Sequence, residues 1–107
     1  MSNADSATLP KEATAATFRV VQEALTNVVR HAEATRVRVR LKAQEHALII
    51  SIEDNGKGIT KAQIKDVKSL GIVGMKERIA RIGGEFNIFS EPDKGTRLDM
   101  IIPAQND

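Results

Sequence analysis

Between residues 11 and 43 the chain changes its hydrophobic period from that of a helix to that of a strand, with almost no connection between the two. Phe18, Val21, Leu25, Val28, Val29 and Ala32 recur at three- and four-residue steps, so the spacing predicts a helix over 11–32 with one apolar stripe. From Thr35 strict alternation takes over. Val37, Val39, Leu41 and Ala43 point one way; Arg36, Arg38, Arg40 and Lys42 point the other. That pattern predicts a strand with one buried face and one solvated basic face. A polar turn at 44–46 leads to a second strand over 48–53, which buries Leu48, Ile50 and Ile52, and a hairpin is the economical connection.

The rest of the chain repeats this plan after a long interruption. Residues 54–70 open with Asp54-Asn55-Gly56-Lys57-Gly58, which no strand or helix continues through, and leave room for a short helix after Thr60. Irregular stretches of this length in compact domains are often functional. Ile72, Met75, Ile79 and Ile82 then define a second amphipathic helix, which Gly83-Gly84 ends. Strands over 85–90 and 96–102 follow, joined by a turn at 92–95. Helix, hairpin, loop, helix and hairpin make an α+β layer, one sheet with helices on one face.

With 107 residues there is room for one domain. Its core must be aliphatic, because Phe18, Phe86 and Phe89 are the only aromatic residues. This scarcity argues against base stacking on single-stranded nucleic acid. The absence of cysteine excludes disulfides, thiolate zinc sites and cysteine nucleophiles, and fits a reducing, cytoplasmic compartment. No apolar run is long enough to cross a bilayer, so no direct membrane contact is expected of this domain, although its parent could be anchored. A net charge of +2 suits an anionic ligand without demanding nucleic acid. Met1-Ser2-Asn3-Ala4 reads as a cloning scar and 5–10 as a trimmed linker, which leaves 11–107 as the domain.

Three segments hold more than a fold requires. On the first helix, Glu23, Asn27, Arg30 and His31 share a face. They form either a solvated polar face or a site in which Asn27 completes an octahedral Mg²⁺ and Glu23 accepts a proton. In the loop, Asp54 at a strand end can accept from an exocyclic amine, while Gly56 and Gly58 admit a flat ligand; the same residues also suit a plain turn. Gly71-Ile72-Val73-Gly74-Met75 opens the second helix, either as an anion site at its N-terminus or as a flexible hinge. It is neither a Walker A loop nor a dinucleotide fingerprint.

Taken in order, Glu23-Ala24-Leu25-Thr26-Asn27-Val28-Val29-Arg30-His31-Ala32, Asp54-Asn55-Gly56-Lys57-Gly58-Ile59, Gly71-Ile72-Val73-Gly74-Met75-Lys76-Glu77-Arg78 and Gly95-Thr96 resemble the ATPase family shared by histidine kinases, gyrase B, HSP90 and MutL. The wording is most similar to bacterial sensor kinases of the degradative-enzyme and nitrate-sensor type. The resemblance implies a two-layer sandwich of the histidine-kinase-like (Bergerat) fold, with three helices on a mixed, mostly antiparallel sheet. It implies ATP and Mg²⁺ as cofactors, with Asn27 on the metal and Arg30 and His31 near the phosphates. Asp54 takes the adenine amino group with help from Thr96, beside Gly56, Gly58 and Ile59. Gly71 and Gly74 let backbone amides reach the phosphates as the lid closes, Met75 beside them counts among the ATP-binding residues, and Glu23 assists proton removal from the acceptor. The implied partners are the dimerisation and phosphoacceptor helices of a parent kinase and a downstream response regulator, with no nucleic acid. The fragment alone is expected to turn over little ATP. A nucleotide-sensing interaction module and a Ser/Thr kinase of the anti-sigma-factor type are the alternatives on the same fold.

Overall fold

A computed structural model describes residues 7–106, with side chains over 8–104. Met1 to Ser6, which hold the expected scar and part of the linker, lie outside the described residues.

Two hairpins form one four-stranded sheet. Strands β2 (Val37–Gln44) and β3 (Ala47–Asp54) make the first hairpin, and β4 (Glu85–Glu91) and β5 (Gly95–Pro103) the second. The order is β2-β3-β5-β4, and every pairing is antiparallel, so the expected mixed sheet is replaced by a wholly antiparallel one among the described residues. A two-residue pair, β1 (Ala7–Thr8) with β6 (Gln105–Asn106), ties the ends of the described chain together.

The register puts Ile50 opposite Met100, which faces Phe86, and Ile52 opposite Leu98. These side chains share one sheet face, onto which helices α1 (Lys11–Asn27) and α3 (Ile72–Arg81) bring Val20, Ala24, Ile72, Met75 and Ile79. Met75, Ile79, Met100, Ile102 and Val20 are fully buried. Each such side chain contributes roughly 1.5–3 kcal/mol relative to exposure. The opposite face is open and polar: Ser51 donates to Asp99 (2.7 Å), and Arg97 pairs with Asp99 (3.3 Å) and lies over the Phe89 ring.

Two expectations about burial fail, for one reason each. The buried face of α1 is Ala13, Thr17, Val20 and Ala24, whereas Phe18 and Val29 of the expected stripe are 65% and 85% exposed. The buried positions near the sheet go to smaller residues, which let the helix axis approach it. On β2, Val37, Val39 and Leu41 are also exposed. β2 is an edge strand, and alternation shows which way a side chain points, not whether a helix lies above it.

The ends of the helices follow local chemistry. A third helix, α2 (Lys61–Lys65), lies inside the long loop, held by a capping box between Thr60 and Gln63. At the end of α3, Gly83 N–H donates to the Ala80 carbonyl and Gly84 N–H to the Ile79 carbonyl, with Gly83 at φ 78°. This is the paired Schellman arrangement that the double glycine predicts.

Candidate functional site

The first helix does not run regularly to residue 32. After Asn27 it widens into a π turn over Val28–Ala32, which ends in left-handed Glu33. Such turns are rare and concentrate at functional sites. A wider turn rotates less per residue. His31, four residues after Asn27, therefore stays on the same side, whereas Arg30, three residues after, falls short of it. His31 lines the inner cavity with Asn27, whereas Arg30 is exposed and is not among the residues that line it. The change of pitch puts Arg30 off the side that Asn27 and His31 share.

The π turn also seats the loop that follows β3. Lys57 N–H donates to the Ala32 carbonyl (2.8 Å), and a Cβ at Gly56 would overlap that carbonyl. Asn55 locks the other side. Its Oδ1 accepts from the N–H groups of Thr35 and Arg36 (3.0 Å each), and its Nδ2 donates to Thr35 Oγ1 (2.9 Å). Sequence reasoning treated Asn55 as a turn former; its position between two turn residues gave no sign of this bridging role. Gly58 has φ 83° and no room for a Cβ beneath Glu91, and Gly95 has φ 85° and none beneath the Asp54 carbonyl. Gly56 thus lets the loop close against the π turn, and Gly58 and Gly95 let it close against the β4–β5 turn.

The outcome is a slot between helix and sheet. Ala24, Val28, Ile52, Ile59, Leu70, Ile72 and Leu98 make its apolar walls. Into it face Asp54 and Thr96, cross-strand partners on β3 and β5, together with Asn27 and His31. Asp54 is 8% exposed, and its Oδ1 accepts from Gly56 N–H (2.8 Å). No other protein group among the described residues bonds its carboxylate, which leaves Oδ2 for a donor on a ligand. An apolar slot with a few convergent polar groups is the usual form of a small-molecule site.

A second cleft lies on the other side of Asn27, lined by Arg19, Gln22, Glu23, Thr26 and Gly71. Asn27 and Leu70 belong to both cavities, and Asn27 Nδ2 donates to the Leu70 carbonyl (2.7 Å). That hydrogen bond is part of the wall between them. It engages the amide nitrogen of Asn27 and leaves Oδ1 without a protein partner among the described residues. Glu23 lies in the outer cleft, paired with Arg19 (3.3 Å). Gly71, left-handed at φ 70°, opens α3 there. Gly74 is exposed one turn on, with no atom beyond its chain neighbours and its own helix backbone within 4 Å of where a Cβ would sit. Met75 is wholly buried in the core, where it helps hold α3 to the sheet, and it is not among the residues that line the slot. Among the described residues, no three His, Asp or Glu side chains converge, so a metal here would rely on waters and ligand oxygens.

The model of the histidine kinase-, DNA gyrase B- and HSP90-like ATPases matches residues 13–106. The chain is 42% identical over 90 residues to the sensor protein VraS of Staphylococcus epidermidis, covering 84% of this chain and 26% of that one. It is 40% identical over 94 residues to the histidine-protein kinase/phosphatase DegS of Brevibacillus brevis, covering 88% of this chain and 24% of that one. The chain thus spans about a quarter of the length of these relatives. Among solved structures, the histidine kinase domain of a blue-light activated kinase from Erythrobacter litoralis aligns with a TM-score of 0.75 and 27% identity, covering 89% of this chain and 46% of that one. With the geometry of the slot and the family match agreeing, the chain belongs to the histidine kinase-, DNA gyrase B- and HSP90-like ATPase family.

Proposed function

We propose that this chain is the Mg-ATP-binding catalytic domain of a two-component sensor histidine kinase, passing the γ-phosphoryl of ATP to a histidine on a dimerisation and phosphoacceptor domain outside these residues. The observation that carries the reading is Asp54: a buried carboxylate on an apolar slot, with one oxygen held by Gly56 N–H and the other free beside Thr96. That arrangement suits the exocyclic amine of adenine.

The roles of the other residues follow from their places. Ile52, Ile59 and Leu98 offer apolar surface to a purine ring. Asn27 presents Oδ1 as a neutral oxygen suited to Mg²⁺ that keeps waters and phosphate oxygens. When bound, the metal neutralises phosphate charge. His31 is near enough to Asn27 to meet the same phosphates. Gly71 and Gly74 leave the start of α3 open to their approach. Glu23, in the outer cleft, is placed to accept a proton from an incoming acceptor imidazole. Catalysis of this kind rests on positioning and charge neutralisation, so the domain without its acceptor turns over little ATP. No helix among the described residues is long and apolar enough to cross a membrane. The reading places the domain in the cytoplasm, where ATP and a response regulator meet it.

Calorimetric titration with ADP and a non-hydrolysable ATP analogue, with and without Mg²⁺, tests this on the wild type and on Asp54→Asn. Metal-dependent triphosphate binding that is lost in the variant is the expected result. Absence of binding under every condition would refute it.

A further inference from the structure

The β4 residue Ser90 bonds three partners with one hydroxyl. Its Oγ accepts from Ile59 N–H (2.7 Å), donates to the Gly95 carbonyl (3.1 Å) and lies 2.9 Å from Thr96 Oγ1. A serine hydroxyl has one proton and two lone pairs. The Gly95 carbonyl can only accept, so the proton of Ser90 goes there. Ile59 N–H can only donate, so it takes one lone pair. The contact with Thr96 is then satisfied in one direction only, with Thr96 donating to the second lone pair of Ser90.

We infer that Ser90 is a positioning residue that fixes the proton of Thr96 and thereby sets the base specificity of the slot; the inference rests on the nucleotide reading above. With its proton engaged, Thr96 turns only lone pairs toward the cavity. Its neighbour Asp54 is also an acceptor. The β3–β5 wall of the slot therefore presents acceptors alone. It matches the 6-amino group of adenine and opposes the 6-oxo group of hypoxanthine or guanine. Polar sites discriminate in this way because a mismatch leaves buried groups unpaired. The same hydroxyl holds Ile59 against the β4–β5 turn, a contact reinforced by Asp93 N–H donating to the Lys57 carbonyl (2.8 Å).

The test is the ratio of ADP to IDP affinity, measured by calorimetry. The proteins are the wild type, Ser90→Ala, Ser90→Thr, Thr96→Val and the Ser90→Ala/Thr96→Val double variant. In Ser90→Ala the proton of Thr96 is free to turn to the 6-oxo group, so the preference for ADP narrows by roughly three- to tenfold. Ser90→Thr retains the hydroxyl and keeps the wild-type ratio. In the Thr96→Val background, Ser90→Ala changes the ratio no further. If Ser90→Ala instead weakens both nucleotides by the same factor, Ser90 is structural only and the specificity role is overturned. Amide exchange at Ile59 in the free protein reads the clamp independently of nucleotide: Ser90→Ala accelerates it and Thr96→Val does not. Equal exchange in wild type and Ser90→Ala overturns the clamp. A chain that binds neither ADP nor IDP overturns the nucleotide reading, and with it the specificity role, whatever Ile59 shows.

Discussion

Gly74 separates a glycine kept for a ligand from a glycine kept for the fold. It is the third residue of α3, it does not have a positive φ, and no atom beyond its chain neighbours and its own helix backbone lies within 4 Å of where its Cβ would be. Nothing in the free protein therefore resists Gly74→Ala. Alanine also loses less backbone entropy in a helix, a gain of about 0.5–1 kcal/mol. For a domain of this size that raises Tm by roughly 2–8 °C. If phosphates approach the N–H groups at the start of α3, the added methyl group obstructs them. Loss of one such contact weakens binding about tenfold, or about 1.4 kcal/mol. The two effects have opposite signs, and ligand makes them cross. At free nucleotide about 100 times the wild-type Kd, the wild type gains about 2.7 kcal/mol. The variant, with nucleotide at only about 10 times its own Kd, gains about 1.4 kcal/mol by the same relation. Thermal melts with and without Mg²⁺ and a non-hydrolysable ATP analogue read both numbers. The variant melts higher than wild type when free, and at or below it when saturated. A variant that is stabilised and binds nucleotide as well as wild type would refute a phosphate role for Gly74. A variant that is destabilised when free would refute the steric reasoning itself.

Gly95→Ala is expected to behave in the opposite way, because φ 85° and the Asp54 carbonyl both exclude a Cβ. A loss of about 1–3 kcal/mol in urea unfolding is expected with or without nucleotide, and an unchanged midpoint would contradict it. Asn27→Asp keeps an oxygen for a metal but loses the donor to the Leu70 carbonyl. Amide exchange across residues 66–71 is expected to accelerate by about tenfold, the equivalent of roughly one charge-neutral hydrogen bond; unchanged exchange would show that this bond does not hold the segment.

The order of elements was legible because each rests on signals within a few residues of itself. The short helix after Thr60, started by its capping box, and the double glycine after α3 both rest on local chemistry, and both elements lie where the sequence leaves room for them. The convergence of Asp54, Thr96, Asn27 and His31 was legible through family wording, and the register that pairs Asp54 with Thr96 gives that wording its geometry. What failed depends on neighbours distant in sequence. Phe18 and Val29 fit an apolar stripe as well as Val20 does, and only the closeness of the sheet selects the smaller residues. The exposure of Leu41 follows from the place of β2 at the edge, which alternation does not encode. Ser90 and Asn55 were passed over because their side chains bond backbone groups of other segments, and such bonds have no signature in residue type.

Arg30 and Met75 are more instructive, since both sit inside motifs whose neighbours line the slot while neither is among its lining residues. A motif fixes spacing along the chain, and converting spacing into a shared face assumes one helical pitch. At the end of the first helix that assumption breaks: the π turn advances less per residue, so a step of four keeps His31 beside Asn27 while a step of three carries Arg30 away. On α3 the pitch is regular, and the same rule correctly separates Met75 from Gly71 and Gly74. Met75 lies at a three-residue step from Ile72 and a four-residue step from Ile79, which places it on the core stripe, whereas Gly74 lies off it. The helical period alone thus assigns Met75 to packing, and the local change of pitch after Asn27 puts His31 rather than Arg30 on the slot side of the helix end.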